Sequence, residues 1–495
     1  MSILKRLISD TAIYGTSSIL ARMLNYLLTF FIATLIATKD FGVFTDLYAM
    51  VAFLLVILTH GMETAFFRHI NILDERKNVF GTAFLSVATF ASFFLLLSVL
   101  FIKPIAVGLK YPDQQNYILI FAFIVFFDVL TAVPFANLRH LGKAKKFAII
   151  KIFNVLLTIG LNIFFLWLCP KMIDGHSTFS NWISSWYQQD SKVMYVFVAN
   201  LMASGVNLLL MLPEISKISF KIDKEVYKKM LYYGLPIMLL GFAGTINEMF
   251  DRKILRFYLP YDDAENLRQL GIYGFAYKIS MIMAMFLQAY KFAVEPILFS
   301  EATNKNAPST YAKIMKYYLV AVCILFVFMI FNLPLIEHLL YKISPLSEDY
   351  RAAFKLVPIL LAANAFLGIY FNVATWYKVS DKTMYGAYIA FFGAAITIAL
   401  NLIFVPMFEI QASAWTTLIC YLAMTGVGLW LGQKFYPIPY QFKRLSLYLF
   451  IALIGFGIYF VSQQLPFYYL SLISILLVAS FVAIVYKLEK GDLKK

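Results

Sequence analysis

Charge, cysteine and histidine are all scarce in this chain. Of its 495 residues, 14% are charged, three are cysteine and five are histidine. A soluble domain carries roughly a quarter charged residues, so the deficit argues against an ordinary water-soluble globule. Cys169, Cys323 and Cys420 lie in or at the ends of apolar runs without paired spacing, which excludes a disulfide framework and a thiolate metal site. A phosphate-cradling glycine loop is missing, so no nucleotide-driven cycle is expected and no cofactor is implied. The opening MSILKRLISDTA has a basic head but no clean apolar core or small-residue cleavage site, and reads as the start of a first spanning helix rather than a removed signal. What is abundant is apolar surface: 61% hydrophobic residues, 49 Phe, 32 Tyr and a mean hydropathy of +0.76. An all-α integral membrane protein is the expected class, its aromatics suited to bilayer interfaces.

Divided into units of ~20 residues, the length that crosses a hydrocarbon core, the apolar runs predict about fourteen transmembrane helices. They fall near 11–36, 42–66, 80–102, 115–136, 147–169, 193–213, 229–251, 271–300, 312–334, 352–376, 383–406, 410–432, 445–463 and 466–486. Lys and Arg concentrate in alternate connecting segments. Examples are Lys143, Lys145 and Lys146, then Lys217, Lys221, Lys224, Lys228 and Lys229, then Lys305, and the tail with Lys487, Lys490, Lys494 and Lys495. Basic segments stay cytoplasmic, which places both termini inside. The net charge of +15 is therefore mostly topology, with anionic membrane lipids as its partner and no nucleic acid implied.

Two halves echo each other. TIGLNIFF at 158–165 matches TIALNLIF at 397–404, GVFTDLY from Gly42 matches GIYGFAY from Gly271, and Tyr14-Gly15 matches Tyr233-Gly234. The matches predict two parallel-repeat six-helix lobes, helices 1–6 and 7–12, plus two extra C-terminal helices. Six is even, so the second lobe enters the membrane in the same sense as the first, an architecture that holds substrate near the midplane. The expected divisions are 1–228, 229–436 and 437–495.

Helical periodicity groups the polar residues into stripes. Helix 1 carries Ser18, Arg22, Asn25 and Thr29 on one face. Helix 2 carries Asp46, His60, Thr64 and Arg68, with Glu63 beside them. Helix 4 holds Asp128 near mid-span, and helix 5 carries Lys151, Asn154, Thr158 and Asn162. Helix 7 places Asn247 and Asp251 on one side with Arg252 adjacent, and helix 8 carries Tyr277, Gln288, Lys291 and Glu295. Thr158, Asn162, Thr397 and Asn401 read as helix-packing seams; Lys151 and Lys291 are long enough to snorkel, and Lys291 with Glu295 has the spacing of an intrahelical pair. Arg22 is different. Holding it at mid-membrane is unfavourable by at least ~2.5–3.5 kcal/mol, so it either binds something anionic or pairs with Asp128 or Asp46. Together the stripes predict a wet polar cavity between the halves, cationic on balance in its inner part.

The segments SSILARMLNYL, FGVFTDLYAMVAF and HGMETAFFRH, with YGLPIMLLGFAGTINEMFDRKIL and ALNLIFVPMFEIQASAWTT in the second half, resemble the multidrug/oligosaccharidyl-lipid/polysaccharide exporter superfamily, and within it the Wzx-like polysaccharide biosynthesis flippases. That resemblance implies alternating access and a cargo of undecaprenyl-pyrophosphate-linked oligosaccharide in the bacterial cytoplasmic membrane, for cell-surface polysaccharide. It also implies a coupling ion, H+ or Na+, and other polysaccharide-assembly proteins as partners. Arg22 would then grip pyrophosphate bidentately, helped by Lys291 and Lys151. Three rivals stand beside this reading, one of them a non-transporting scaffold of a polysaccharide assembly complex. A drug or cation antiporter of the same superfamily would have twelve helices and an acid-dominated cavity. A glycosyltransferase or polymerase would need catalytic carboxylates in a surface loop, where Asp174, His176, Asp262 and Asp263 form no recognisable constellation.

Overall fold

The computed structural model describes residues 3–70, 76–174, 180–301, 304, 306–343, 346–380 and 382–490, so His176, Lys305, Lys494 and Lys495 lie outside the described residues. Helix is the dominant element, as expected of a chain whose backbone must satisfy its own polar groups in lipid. Among the described residues, thirteen helical stretches are long and apolar enough to cross a membrane. The longest, Thr383–Phe435, has 53 residues and would run about 80 Å if straight, more than twice a hydrocarbon core. It breaks at Glu409, where φ is 54° and ψ −138°, and counting its two arms brings the spans to fourteen.

In chain order the spans are α1 (Ile3–Leu35), α2 (Thr38–His69), α3 (Arg76–Leu100), α4 (Gln115–His140), α5 (Ala144–Asp174), α6 (Gln189–Ile215) and α7 (Lys224–Tyr258). They continue with α8 (Asp263–Ser300), α9 (Ala307–Ile343), α10 (Val357–Val379), α11 (383–408), α12 (410–435), α13 (Phe442–Ser462) and α14 (Phe467–Glu489). Proline inside α4, α6, α7, α9 and α11 is tolerated because neighbouring helices and local adjustment re-satisfy the freed backbone groups.

The chain forms two compact units. The first comprises residues 1–257 with 261–271, the second 258–260 with 272–495. In the first, α4 packs on α3 and α6, and α1 packs on α5. The start of α8 crosses the start of α2 so closely that a Cβ on Gly42 would run into the carbonyl of Leu267, and one on Gly271 into that of Thr38. This contact is reciprocal. The offset that aligns Gly42 with Gly271 also aligns Thr38 with Leu267, and such reciprocity is what a twofold relation produces. The other matched segment behaves alike in both units: Asn162 donates to the Thr158 carbonyl at 2.8 Å, and Asn401 to the Thr397 carbonyl at 2.8 Å.

In the second unit α10 packs on α11 and α12, and Trp376 donates its indole N–H to the Gly428 carbonyl at 3.1 Å. α13 and α14 lie on α9. Their apolar lengths alone would give no register, because lipid competes equally for such surfaces. Buried polar groups set it instead. Glu489 accepts from Lys316, from Arg444 at 3.0 Å and from Tyr448 at 2.7 Å, while Asn332 bonds Ser474 at 3.1 Å and Ser471 at 2.9 Å.

Candidate functional site

A polar cavity of about 580 Å³ opens within the first unit. Three helices supply most of its chemistry. α4 contributes Asp128, α5 contributes Lys151 and Asn154, and α6 contributes Asn200, Ser204 and Asn207. Asn154 donates to the Ala203 carbonyl at 2.9 Å and so straps α5 to α6; Asn200 donates to the Tyr48 hydroxyl at 2.6 Å and ties α6 to α2. Asp128 accepts from Ser204 and lies within electrostatic reach of Lys151. Glu63 and Arg139 close an ion pair at the cavity wall, and the Lys151 ammonium rests over the Phe135 ring, 4.3 Å from its centre. The charged lining is thus two acids against two bases. The wall of this cavity, which lies within the first unit, therefore balances its own charge.

Arg22 is not part of that wall. The residue lies within a span on α1, the helix packed against α5, and its side chain is exposed. Its charge acts on Lys151. Among the described residues no carboxylate comes within ion-pair distance of Arg22 or of Lys151. Asn25, one turn on, is exposed as well, its carbonyl accepting from Thr29 at 2.9 Å.

Asp46 is elsewhere. It is 1% exposed, takes an ion pair from Lys253 of α7 at 2.6 Å and accepts from the Tyr111 hydroxyl at 2.9 Å. The network extends through Arg256, fully buried, which donates to Asp263 at 3.2 Å and to the Lys110 carbonyl at 3.1 Å. Asp46 therefore holds α7 against α2. The expected polar face along helix 2 is interrupted: His60 and Gly61 have φ of 34° and 72°, which breaks the helix there. The His60 ring is buried against Ser86, 2.7 Å away, as a packing group. On α7, Asn247, Asp251 and Arg252 are all buried, with Asp251 and Arg252 paired at 2.6 Å.

The second unit gathers the remaining expected residues less tightly. Tyr277 is buried, Gln288 half-buried and Glu295 exposed. The Lys291 ammonium lies 4.8 Å from the centre of the Phe371 ring on α10. Arg139, Asn200, Ser204 and Asn207 are cavity residues that the sequence reading passed over. The α6 trio was visible at i, i+4 and i+7 within NLMASGVN; Arg139 was hidden among the basic residues of its connecting segment.

The fold matches solved transporters. A lipid II flippase MurJ in an inward closed conformation superposes with a TM-score of 0.75 at 17% identity, over 97% of this chain and 99% of that one. An inward-facing multidrug resistance MATE family transporter gives 0.65 at 15%, over 86% and 95%, and the bent form of the Vibrio cholerae MATE transporter VcmN gives 0.55 at 13%, over 90% and 97%. No curated protein matches at the level of sequence. Residues 7–303 match the family described as polysaccharide biosynthesis protein.

Proposed function

From the premise that the chain belongs to the polysaccharide biosynthesis protein family, we propose that it is a flippase carrying undecaprenyl-pyrophosphate-linked oligosaccharide across the bacterial cytoplasmic membrane. Family and fold together make it a multi-pass membrane transporter of the multidrug/oligosaccharidyl-lipid/polysaccharide type; the cargo, its direction and the inward termini are the added reading.

Arg22 carries that reading. A guanidinium exposed within a membrane span, beside Lys151 and without a carboxylate partner among the described residues, is a site prepared for an anion. Pyrophosphate fits the planar fork of Arg. The Asn and Ser groups of α5 and α6 suit sugar hydroxyls, each offering donors and acceptors. The fatty tail needs no polar wall and stays in lipid. Exchange of access between leaflets would draw on an H+ or Na+ gradient or on the membrane potential. The test is transport of lipid-linked sugar by Arg22→Ala and Arg22→Lys in vesicles. Loss in the first and partial retention in the second support the reading; unchanged transport by Arg22→Ala removes its support.

A further inference from the structure

One buried acid gathers three ammonium groups where the start of α5 meets the end of α6. Glu214, in the last turn of α6, is 2% exposed. The Lys146 ammonium lies 2.9 Å and that of Lys143 3.3 Å from the same carboxylate oxygen, and Lys217 reaches the other oxygen at 3.6 Å. A buried carboxylate needs a partner, but one ammonium group neutralises it. The surplus charge is held close, because Lys143 and Lys146 share one oxygen. Lys145, between them in the chain, is exposed and joins no ion pair among the described residues.

The backbone fixes where these lysines stand. Gly142 turns the chain with φ of 66°, a conformation open to glycine at no steric cost. The Lys143 N–H then closes the turn on the Leu138 carbonyl at 3.0 Å. Beyond it Lys145, Ile149, Phe153 and Leu156 follow one another at helical spacing along one face of α5, and all four are exposed. Lys151 and Asn154, which line the cavity, fall on the opposite face. The exposed face is thus apolar along a span and cationic at its end. Lipid chains and an anionic headgroup have that same order.

We infer that Lys143, Lys145 and Lys146, with Lys217 beside them, form a headgroup site for one anionic phospholipid. Its phosphodiester takes the ammonium charge that Glu214 leaves over, each lysine acting as a point charge, and its chains lie along Ile149, Phe153 and Leu156. Free phosphate carries the same oxygens but gains nothing from the apolar stripe, so the occupant is a lipid. The site differs from the diffuse attraction of basic segments to a charged leaflet, because a buried acid and a glycine turn hold its lysines in one place. It stands apart from the cargo reading. It also sets a lipid on the helix whose other face supplies Lys151 and Asn154 to the cavity.

The test titrates phosphatidylglycerol into the full chain in a non-ionic detergent and follows retained lipid by native mass spectrometry, with phosphatidylcholine as the reference. Wild type is compared with Lys145→Gln, with Lys145→Gln/Lys146→Gln, and with Lys228→Gln/Lys229→Gln, which removes the same charge from exposed positions of α7. Lys145→Gln uncovers no acid, and the first double variant leaves Lys143 and Lys217 on Glu214, so each retains partners for the buried carboxylate. Lys145→Gln/Lys146→Gln should raise the Kd for phosphatidylglycerol about tenfold or more, the scale of a lost charged hydrogen bond. The α7 pair should stay within about threefold of wild type. Equal weakening by both pairs would reduce the site to diffuse surface charge and overturn it. Unchanged affinity in Lys145→Gln/Lys146→Gln also overturns it; with a lowered melting midpoint, that result leaves the lysines only a structural role on Glu214. Wild type that retains both lipids equally counts against the site as well. Inorganic phosphate added as competitor separates the two sources of phosphate. Retained phosphatidylglycerol supports a lipid site; its release at matching phosphate concentration overturns the lipid assignment.

Discussion

At the scale of single residues, the structure bears on one of the two readings of Arg22 that the sequence left open, the structural pair. A structural pair needed Asp46 or Asp128 as partner. Asp46 is taken by Lys253 and Tyr111, and Asp128 by Ser204 with Lys151 nearby. Removing Arg22 therefore uncovers no buried carboxylate. Arg22→Ala should leave the melting midpoint in detergent where it was, within the ~0.5 kcal/mol typical of an exposed position, while transport of lipid-linked sugar falls by more than about tenfold. A clear loss of stability, rescued by Asp128→Asn, would return Arg22 to structure. Lys253 predicts the opposite pattern. Lys253→Met strands Asp46, 1% exposed, and should lower stability by roughly 3–5 kcal/mol. Asp46→Asn in the same chain should recover most of it, as thermal unfolding of the single and double variants would show. Equal stability of Lys253→Met and wild type would mean that the pair holds nothing.

At the scale of elements, much of the helix plan was legible because hydropathy is a local property. The break between α11 and α12 falls at Glu409, in the gap that the sequence reading left between 406 and 410. What was not legible depends on distant partners or on backbone conformation. Nothing near Asp46 announces Lys253, which lies 207 residues away. Gly61 was the one local sign of the left-handed turn that interrupts the stripe drawn through His60. The charges that dock α13 and α14 on α9, Arg444 and Glu489, lay just outside the spans assigned to them. Orientation remains to be measured, and the structure improves the probe positions. Asp263 bonds Arg256 and Lys110, so a cysteine there would disturb the fold it reports on. Ala264 and Ser185 are exposed and avoid that network. The three native cysteines are buried, which keeps the background low. Cysteines at Ala264 and Ser185 should react with an impermeant thiol reagent added outside cells, and one at Ser219 should not. Labelling of Ser219 from outside would invert the topology.

At the scale of the whole molecule, the repeat and the transport claim stand together. Reciprocal contact of Gly42 and Gly271, and the same side-chain bond at Asn162 and Asn401, are what duplicated halves would retain. An experimental structure should superpose α1 to α6 on α7 to α12 by rotation about the membrane normal, carrying Asn162 onto Asn401; superposition only after inversion would refute parallel repeats. Fold alone does not choose a cargo, since solved proteins of this shape are named both as a lipid flippase and as multidrug transporters. The choice rests on a cavity whose wall is neutral and whose neighbouring Arg22 is not. The most direct measurement is therefore flipping itself. The full chain is reconstituted in vesicles with fluorescent undecaprenyl-pyrophosphate-linked oligosaccharide, and the fraction exposed to a quencher outside is followed under an imposed ion gradient. The account predicts that wild type exposes the protected fraction and that Arg22→Ala does not. Vesicles that leave the lipid-linked sugar in place while accumulating a cationic dye under the same gradient would contradict it.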